Sequence, residues 1–209
     1  IADCFDAMSG SVFFSTIDLS ASFFQVPILS ELDRDKTAFI TRKGQFRFTT
    51  MPQGCANSPS IFSRLMSLVL KGLTWITCLV FIDDTIVIGR TFDEDYNNVQ
   101  EVLNRFRQAK LLLKPTKTKL FQLRVKFLGH TISRFGIEPS EDKIACIVSQ
   151  NFPRTISELR GFIGLCSYYR AFCPNFASVT EPLTECLRKG VTLEYTERRM
   201  HAFNELKRF

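Results

Sequence analysis

Two hydrophobic periods alternate along the chain. Residues 12–19 (Val-Phe-Phe-Ser-Thr-Ile-Asp-Leu) are β-branched and aromatic, which predicts a strand. A short turn or helix at 20–24 and an extended piece at 25–29 follow. Residues 36–41 and 45–49 flank Arg42-Lys43-Gly44, a hairpin signal with glycine in the loop. Pro59 then opens an amphipathic helix whose buried face is Ile61, Phe62, Leu65, Met66, Leu68, Val69 and Leu73. Residues 76–82 and 85–88 read as two apolar strands joined by Asp83-Asp84. Thr91-Phe-Asp93 starts another helix, with Glu94 and Asp95 in its positively polarised first turn, which ends before Pro115. Strands are expected at 119–123 and 126–133. From Pro139 the character changes to short helices, with capping-box spacings at Thr155-Ile-Ser-Glu158 and Ser178-Val-Thr-Glu181. A mixed sheet-and-helix unit is thus expected to about residue 137, and a small helical unit after it.

Composition narrows the class. With 209 residues, 45% apolar and 23% charged, the chain can bury a real core and is not intrinsically disordered. No apolar stretch reaches the roughly 18 residues of a membrane span; the longest candidate, 74–88, carries two aspartates. The seven cysteines form no Cys-x-x-Cys pair, and two histidines are too few for a zinc site, so they read as buried thiols of a cytosolic protein. The chain begins Ile-Ala-Asp, with neither an initiator Met nor a leader, and is expected to be a piece of something longer.

Charge is unevenly placed. Residues 1–90 hold 8 Lys/Arg and 8 Asp/Glu, so the whole net +6 lies in 91–209. Between Glu101 and Glu138 nine cations occur without one anion: Arg105, Arg107, Lys110, Lys114, Lys117, Lys119, Arg124, Lys126 and Arg134. A solvated face is one reading. Neutralisation by a nucleic acid is the other, and the missing anions favour it.

Asp83 and Asp84 sit between two strands that are apolar throughout. Acidic residues are common in turns, but Asp-Asp suits a two-residue turn poorly, since such turns favour Asn or Gly at positive φ. Adjacent carboxylates beside buried strands are costly unless a cation neutralises them. Asp18 ends another apolar strand in the same way; if the strands are neighbours, three carboxylates converge. Oxygen-only ligands point to Mg²⁺ or Mn²⁺, and a pair of such ions serves in-line attack on a phosphoryl group. No P-loop or dinucleotide-binding glycine motif occurs. An unrelated metal-dependent phosphohydrolase would share these carboxylates, but it leaves residues 51–59 and the basic window unexplained.

Phe14-Ser-Thr-Ile-Asp-Leu-Ser-Ala-Ser-Phe-Phe-Gln25, Met51-Pro-Gln-Gly-Cys-Ala-Asn-Ser-Pro59 and Phe81-Ile-Asp-Asp84 resemble the three central palm motifs of reverse transcriptases, in order and spacing. Phe127-Leu-Gly-His-Thr-Ile-Ser133 resembles the primer grip. Leu159-Arg-Gly-Phe-Ile-Gly-Leu-Cys-Ser-Tyr-Tyr-Arg170, with Phe172-Cys-Pro-Asn-Phe176, resembles the thumb and connection of gypsy-type LTR retrotransposon Pol polyproteins. The chain differs mildly from the gypsy-type pattern at Ser22-Phe23, Gln53 and Phe81.

The resemblance implies an α+β fold: a palm with partial fingers over 1–137, thumb and connection helices over 138–190, and over 191–209 the approach to an RNase H-like domain. It implies RNA-directed DNA polymerase activity, with a nucleic-acid-binding remnant that no longer turns over as the alternative. Asp18, Asp83 and Asp84 match metal-binding catalytic carboxylates for two Mg²⁺ or Mn²⁺ ions. Leu19, Ser20, Ala21, Ser22, Phe23, Gln53 and Gly54 match the nucleotide site, where Phe23 stacks under the sugar unless it is an ordinary core residue. Phe127, Leu128 and Gly129 match the primer grip, within the window where Lys114, Lys117, Lys119 and Lys126 face nucleic acid. Implied partners are an RNA or DNA template with primer, dNTP, and covalently linked protease, RNase H and integrase regions. The implied setting is a cytoplasmic particle or nucleoprotein complex, with no membrane.

Overall fold

The computed structural model describes residues 2–208, which divide into two compact units, Ile1–Glu138 and Pro139–Phe209. In the first unit, helix α1 (Ala2–Ala7) leads into strand β1 (Phe13–Ile17). A single 3₁₀ turn (Ser22–Gln25), helix α2 (Glu31–Asp35) and a hairpin of β2 (Phe39–Thr41) and β3 (Gly44–Phe46) follow. Then come helix α3 (Ser58–Val69), strands β4 (Cys78–Phe81) and β5 (Asp84–Gly89), helix α4 (Phe92–Gln108) and strands β6 (Lys119–Gln122), β7 (Arg124–Phe127), β8 (His130–Ser133) and β9 (Gly136–Pro139). Helices and antiparallel sheets are mixed as an α+β reading requires.

Four strands form the main sheet in the order β4-β5-β1-β6, and β1 pairs with β5 from Phe13 opposite Gly89 to Ile17 opposite Thr85. Successive side chains leave opposite faces, and both faces are sealed. On one, Ile17, Cys78 and Val87 share a core with Phe62 and Met66 of α3 and Val99, Val102 and Phe106 of α4. On the other, Phe14, Leu79, Ile86 and Ile88 meet Met8, Val125, Phe127 and Ile132. This double burial is why the strands are apolar at nearly every position instead of alternating.

Buried polar groups pin the sheet to α4. Ser15, fully buried in β1, donates to Asp95 Oδ2 (2.7 Å) and accepts from the Phe121 N–H (2.9 Å). Asp95 is fully buried, and its Oδ1 meets no hydrogen-bond donor among the described residues. Gly89 permits this approach, because a Cβ there would lie 2.5 Å from the Asp95 backbone nitrogen. Helix α4 starts at Thr91, whose hydroxyl accepts from the Glu94 N–H (3.1 Å).

Several boundaries differ from the sequence expectations. The run 126–133 is a hairpin, not one strand: Leu128 and Gly129 both have positive φ (46° and 71°) and turn β7 into β8. Between β4 and β5 the loop is Ile82-Asp83; Phe81 pairs with Asp84, which therefore belongs to β5. Strand β4 starts at Cys78, and Ile76 is exposed in the preceding turn.

The second unit comprises α5 (Glu141–Val148), α6 (Ile156–Tyr168), α7 (Phe176–Thr184) and α8 (Glu197–Leu206) around Leu159, Phe162, Leu183, Cys186 and Phe203. Thr155 caps α6 as its spacing predicts, accepting from the Glu158 N–H. The spacing at Ser178 is misleading. Helix α7 already begins at Phe176, after Asn175 in the left-handed conformation, so Ser178 and Glu181 lie within it.

Candidate active site

Sheet register brings the carboxylates together. Ile17 lies opposite Thr85, so Asp18, just past β1, and Asp84, at the start of β5, sit side by side at one sheet edge. Asp83 is next to them in the β4–β5 loop. Ile82 precedes it with φ of 60°; positive φ at the first loop position alone is the signature of a type II′ turn, which favours glycine. A β-branched residue there is strained, and Ile82 is held by packing against the α3–α4 core.

Each carboxylate has its own surroundings. Asp83 Oδ2 accepts from the Ser22 hydroxyl (2.9 Å). Asp18 Oδ2 lies 3.4 Å from Lys117 Nζ, and its backbone carbonyl accepts from the Lys114 N–H (2.8 Å). Partial burial raises the Asp84 carboxyl above the usual carboxylate range, the charges of Asp83 and then Asp18 raise it further, and Lys117 opposes them. The donor set is all oxygen, which suits a hard divalent cation. However, no three His, Cys, Asp or Glu side chains among the described residues gather closely enough to hold a metal ion. The convergence expected of three carboxylates is electrostatic here, not a finished coordination shell.

The other sequence candidates fall around this edge unevenly. Leu19 is buried and bridges to Leu113, and Ser20 N–H donates to Leu112 O (2.8 Å). Ala21 has a left-handed φ of 45°, which turns Ser22 inward to Asp83. Phe23 is half-buried, its ring edge-on to Phe62 at 5.7 Å, so the core alternative describes much of its environment. Gln53 and Gly54 are exposed in the loop before α3, and Gly54 has a positive φ of 90° that the turn requires. Phe127 is buried beneath the sheet, with Leu128 and Gly129 forming the hairpin tip. Lys114, Lys117, Lys119 and Lys126 are all exposed, and Lys117 also pairs with Asp18. Gln25 closes the first palm-like motif, but sequence reasoning gave it no role. Its side chain bonds the backbone of Ser20 and Leu112, a contact across 87 residues that no local spacing announces.

A family model for "Reverse transcriptase (RNA-dependent DNA polymerase)" matches residues 2–132. The chain belongs to the reverse transcriptase family. Among curated relatives, it is 38% identical over 200 residues to the retrovirus-related Pol polyprotein from transposon 297 of Drosophila melanogaster, covering 93% of this chain and 18% of that one. It is 31% identical over 206 residues to the Pol polyprotein from transposon gypsy of the same organism, covering 93% of this chain and 20% of the relative. The chain thus spans about a fifth of the length of these relatives. A foamy viral protease-reverse transcriptase solved with double-stranded DNA superposes with a TM-score of 0.87 at 28% identity, over 95% of this chain and 35% of that one. The same enzyme solved with an RNA/DNA hybrid gives a TM-score of 0.86 at 27% identity, over 99% and 28%. These neighbours bear out the α+β reverse transcriptase fold and the gypsy-type resemblance. No helix among the described residues is long and apolar enough to cross a membrane.

Proposed function

We propose that this chain is the catalytic centre of an RNA-directed DNA polymerase encoded within a retrotransposon Pol polyprotein. The observation that carries the reading is the β1–β5 register, which sets Asp18 beside Asp83-Asp84 at one sheet edge. The reaction is attack of a primer 3′-hydroxyl on the α-phosphorus of a dNTP, directed by an RNA or DNA template, with pyrophosphate leaving. Asp18 and Asp83 would hold the metal ions, with Asp84 in support. Two divalent cations of the Mg²⁺ or Mn²⁺ class, when bound there, supply activation of the hydroxyl and neutralisation of charge on the phosphoryl oxygens.

The chain's own residues do the rest by positioning. Ser22 orients Asp83, and the Asp84 carboxyl is raised first by burial and then by the charges of Asp83 and Asp18, which a bound cation would offset. Leu19, Ser20, Ala21 and Ser22 present backbone to the triphosphate, with Phe23 under the sugar and Gln53-Gly54 along the nucleotide. The Phe127-Leu128-Gly129 hairpin holds the primer end, and Lys114, Lys119 and Lys126 face the duplex. Lys117 is a charge partner of the carboxylates before it is a duplex contact. Residues 1–137 act as palm with partial fingers, 138–190 as thumb and connection, and 191–209 as the approach to an RNase H-like region. Protease and integrase regions are the further linked partners.

The test is primer extension by the parent polyprotein's polymerase with Mg²⁺ or Mn²⁺. Asp83→Asn should lower the rate by about a thousandfold, since removal of one charge-stabilising group typically costs that much. Salt-sensitive binding of primed template without dNTP incorporation by the unsubstituted protein would identify a non-catalytic remnant instead.

A further inference from the structure

The side-chain amide of Gln25 takes the place of a backbone peptide. Residues 18–20 run antiparallel to 112–114 through the Lys114 N–H to Asp18 O bond, the Leu19–Leu113 bridge and the Ser20 N–H to Leu112 O bond. The chain leaves this pairing at Ala21 and passes through the 3₁₀ turn Ser22–Gln25. Gln25 then reaches back. Its Nε2 donates to Ser20 O and to Leu112 O (3.0 Å), and its Oε1 accepts from the Leu112 N–H (2.7 Å). The loop 20–25 is closed on itself and tied to a second segment. Both segments carry groups of the site: Ser22 holds Asp83, and the stretch after Leu112 leads to Lys117, which pairs with Asp18.

We propose that Gln25 is a positioning residue for nucleotide addition, fixing the curvature of residues 19–23 and locking them to the segment that carries Lys117. This rests on the polymerase reading above. The Gln25 amide bonds only the backbone of Ser20 and Leu112 among the described residues, and Leu112 is an exposed residue. Removing the amide therefore leaves few buried groups unsatisfied, and the effect should fall on the shape of the nucleotide segment, not on folding.

The test uses the parent polymerase carrying Gln25→Met, which keeps bulk without hydrogen bonds, and Gln25→Glu, which keeps the acceptor for Leu112 but sets a carboxylate against two carbonyls. KM for dNTP should rise about tenfold in Gln25→Met, the equivalent of one or two net hydrogen bonds, with kcat changed much less. Gln25→Glu should be the worse of the two, while primer–template affinity and melting temperature stay at the unsubstituted values. An unchanged KM for dNTP in Gln25→Met, or a fall in melting temperature that tracks the loss of activity, overturns the assignment. Amide hydrogen exchange separates this proposal from the polymerase reading: Gln25→Met removes the acceptor of the Leu112 N–H and should speed exchange there by about tenfold even if no primer is extended. Unchanged exchange at the Leu112 amide overturns the positioning role whatever the activity.

Discussion

Ser15→Ala deletes one oxygen from the middle of the strand that leads to Asp18, and its cost can be worked from two hydrogen bonds. The Ser15 hydroxyl is the donor to Asp95 Oδ2 and the acceptor for the Phe121 N–H. Loss of a hydrogen bond to a buried carboxyl costs about 1.5–3 kcal/mol, and stranding a part-buried N–H about 1 kcal/mol more, so a total near 3 kcal/mol is expected. Burial raises the Asp95 carboxyl above its ordinary value of 3.8, the Ser15 hydrogen bond lowers it, and Glu94 raises it. Without Ser15 the carboxyl rises further. Between the unfolded and native values the native state keeps a proton that the unfolded chain has released, so stability falls as pH rises through that window. The loss from Ser15→Ala should therefore be larger at pH 7.5 than at pH 4.5. In an Asp95→Asn background it should be smaller and nearly independent of pH. Urea unfolding of the four combinations at both pH values measures this directly. Equal losses at both pH values in both backgrounds would refute the reasoning.

Four further substitutions probe the backbone frame, three of them in the unit that carries the carboxylates. Ile82→Gly removes left-handed strain worth about 1–2 kcal/mol but also a half-buried side chain worth a similar amount, so stability should change by less than about 1 kcal/mol; a full truncation penalty in urea unfolding would show that the loop is not strained. Gly89→Ala should cost about 2 kcal/mol or more, because the new methyl meets the Asp95 backbone and cannot be accommodated by a side-chain rotation. A melting temperature equal to that of the unsubstituted chain would contradict the close approach. Thr91→Ala and Thr155→Ala each remove a helix cap and should cost about 1 kcal/mol, the first in Ile1–Glu138 and the second in Pro139–Phe209. Hydrogen exchange resolved by unit would detect a loss in the wrong one.

What the sequence disclosed follows the range of the interactions concerned. The strands around 12–19 and 85–88 were legible because burial on both faces makes them apolar at successive positions, and the same logic marked Asp18 and Asp83 as residues at strand ends. Loop phase was off by one residue. Local turn chemistry has no reason to choose Ile82 for a positive φ, and only its packing against the core holds it there. The β7–β8 turn was hidden for a related reason: Gly129 is the one glycine between two short strand-like pieces, and Leu128 adopts positive φ without any side-chain signal. The Ser178 spacing shows the converse error, since Ser-x-x-Glu recurs inside helices and the start of α7 is set by Asn175. Ser15–Asp95 and Gln25–Leu112 join residues 80 and 87 apart, beyond any periodicity.

The sheet and its loops together explain how three carboxylates can be kept at one edge. Their mutual repulsion is borne by Asp84, whose carboxyl is raised by burial and by the other two charges. Relaxation by moving the backbone is blocked: both faces of the sheet are packed, Lys114 holds the Asp18 carbonyl, and the strained Ile82 turn is clamped by the core. The charges are answered instead by side chains. Ser22 does so for Asp83 through a part-buried hydrogen bond of 2.9 Å, and Lys117 for Asp18 through a pair at 3.4 Å whose lysine is largely exposed. A solvent-exposed pair of that kind is worth under about 1 kcal/mol. The Lys117 pair therefore costs little to break, while Ser22 keeps Asp83 aimed, so the frame is fixed by packing and only its counter-charge is loosely held.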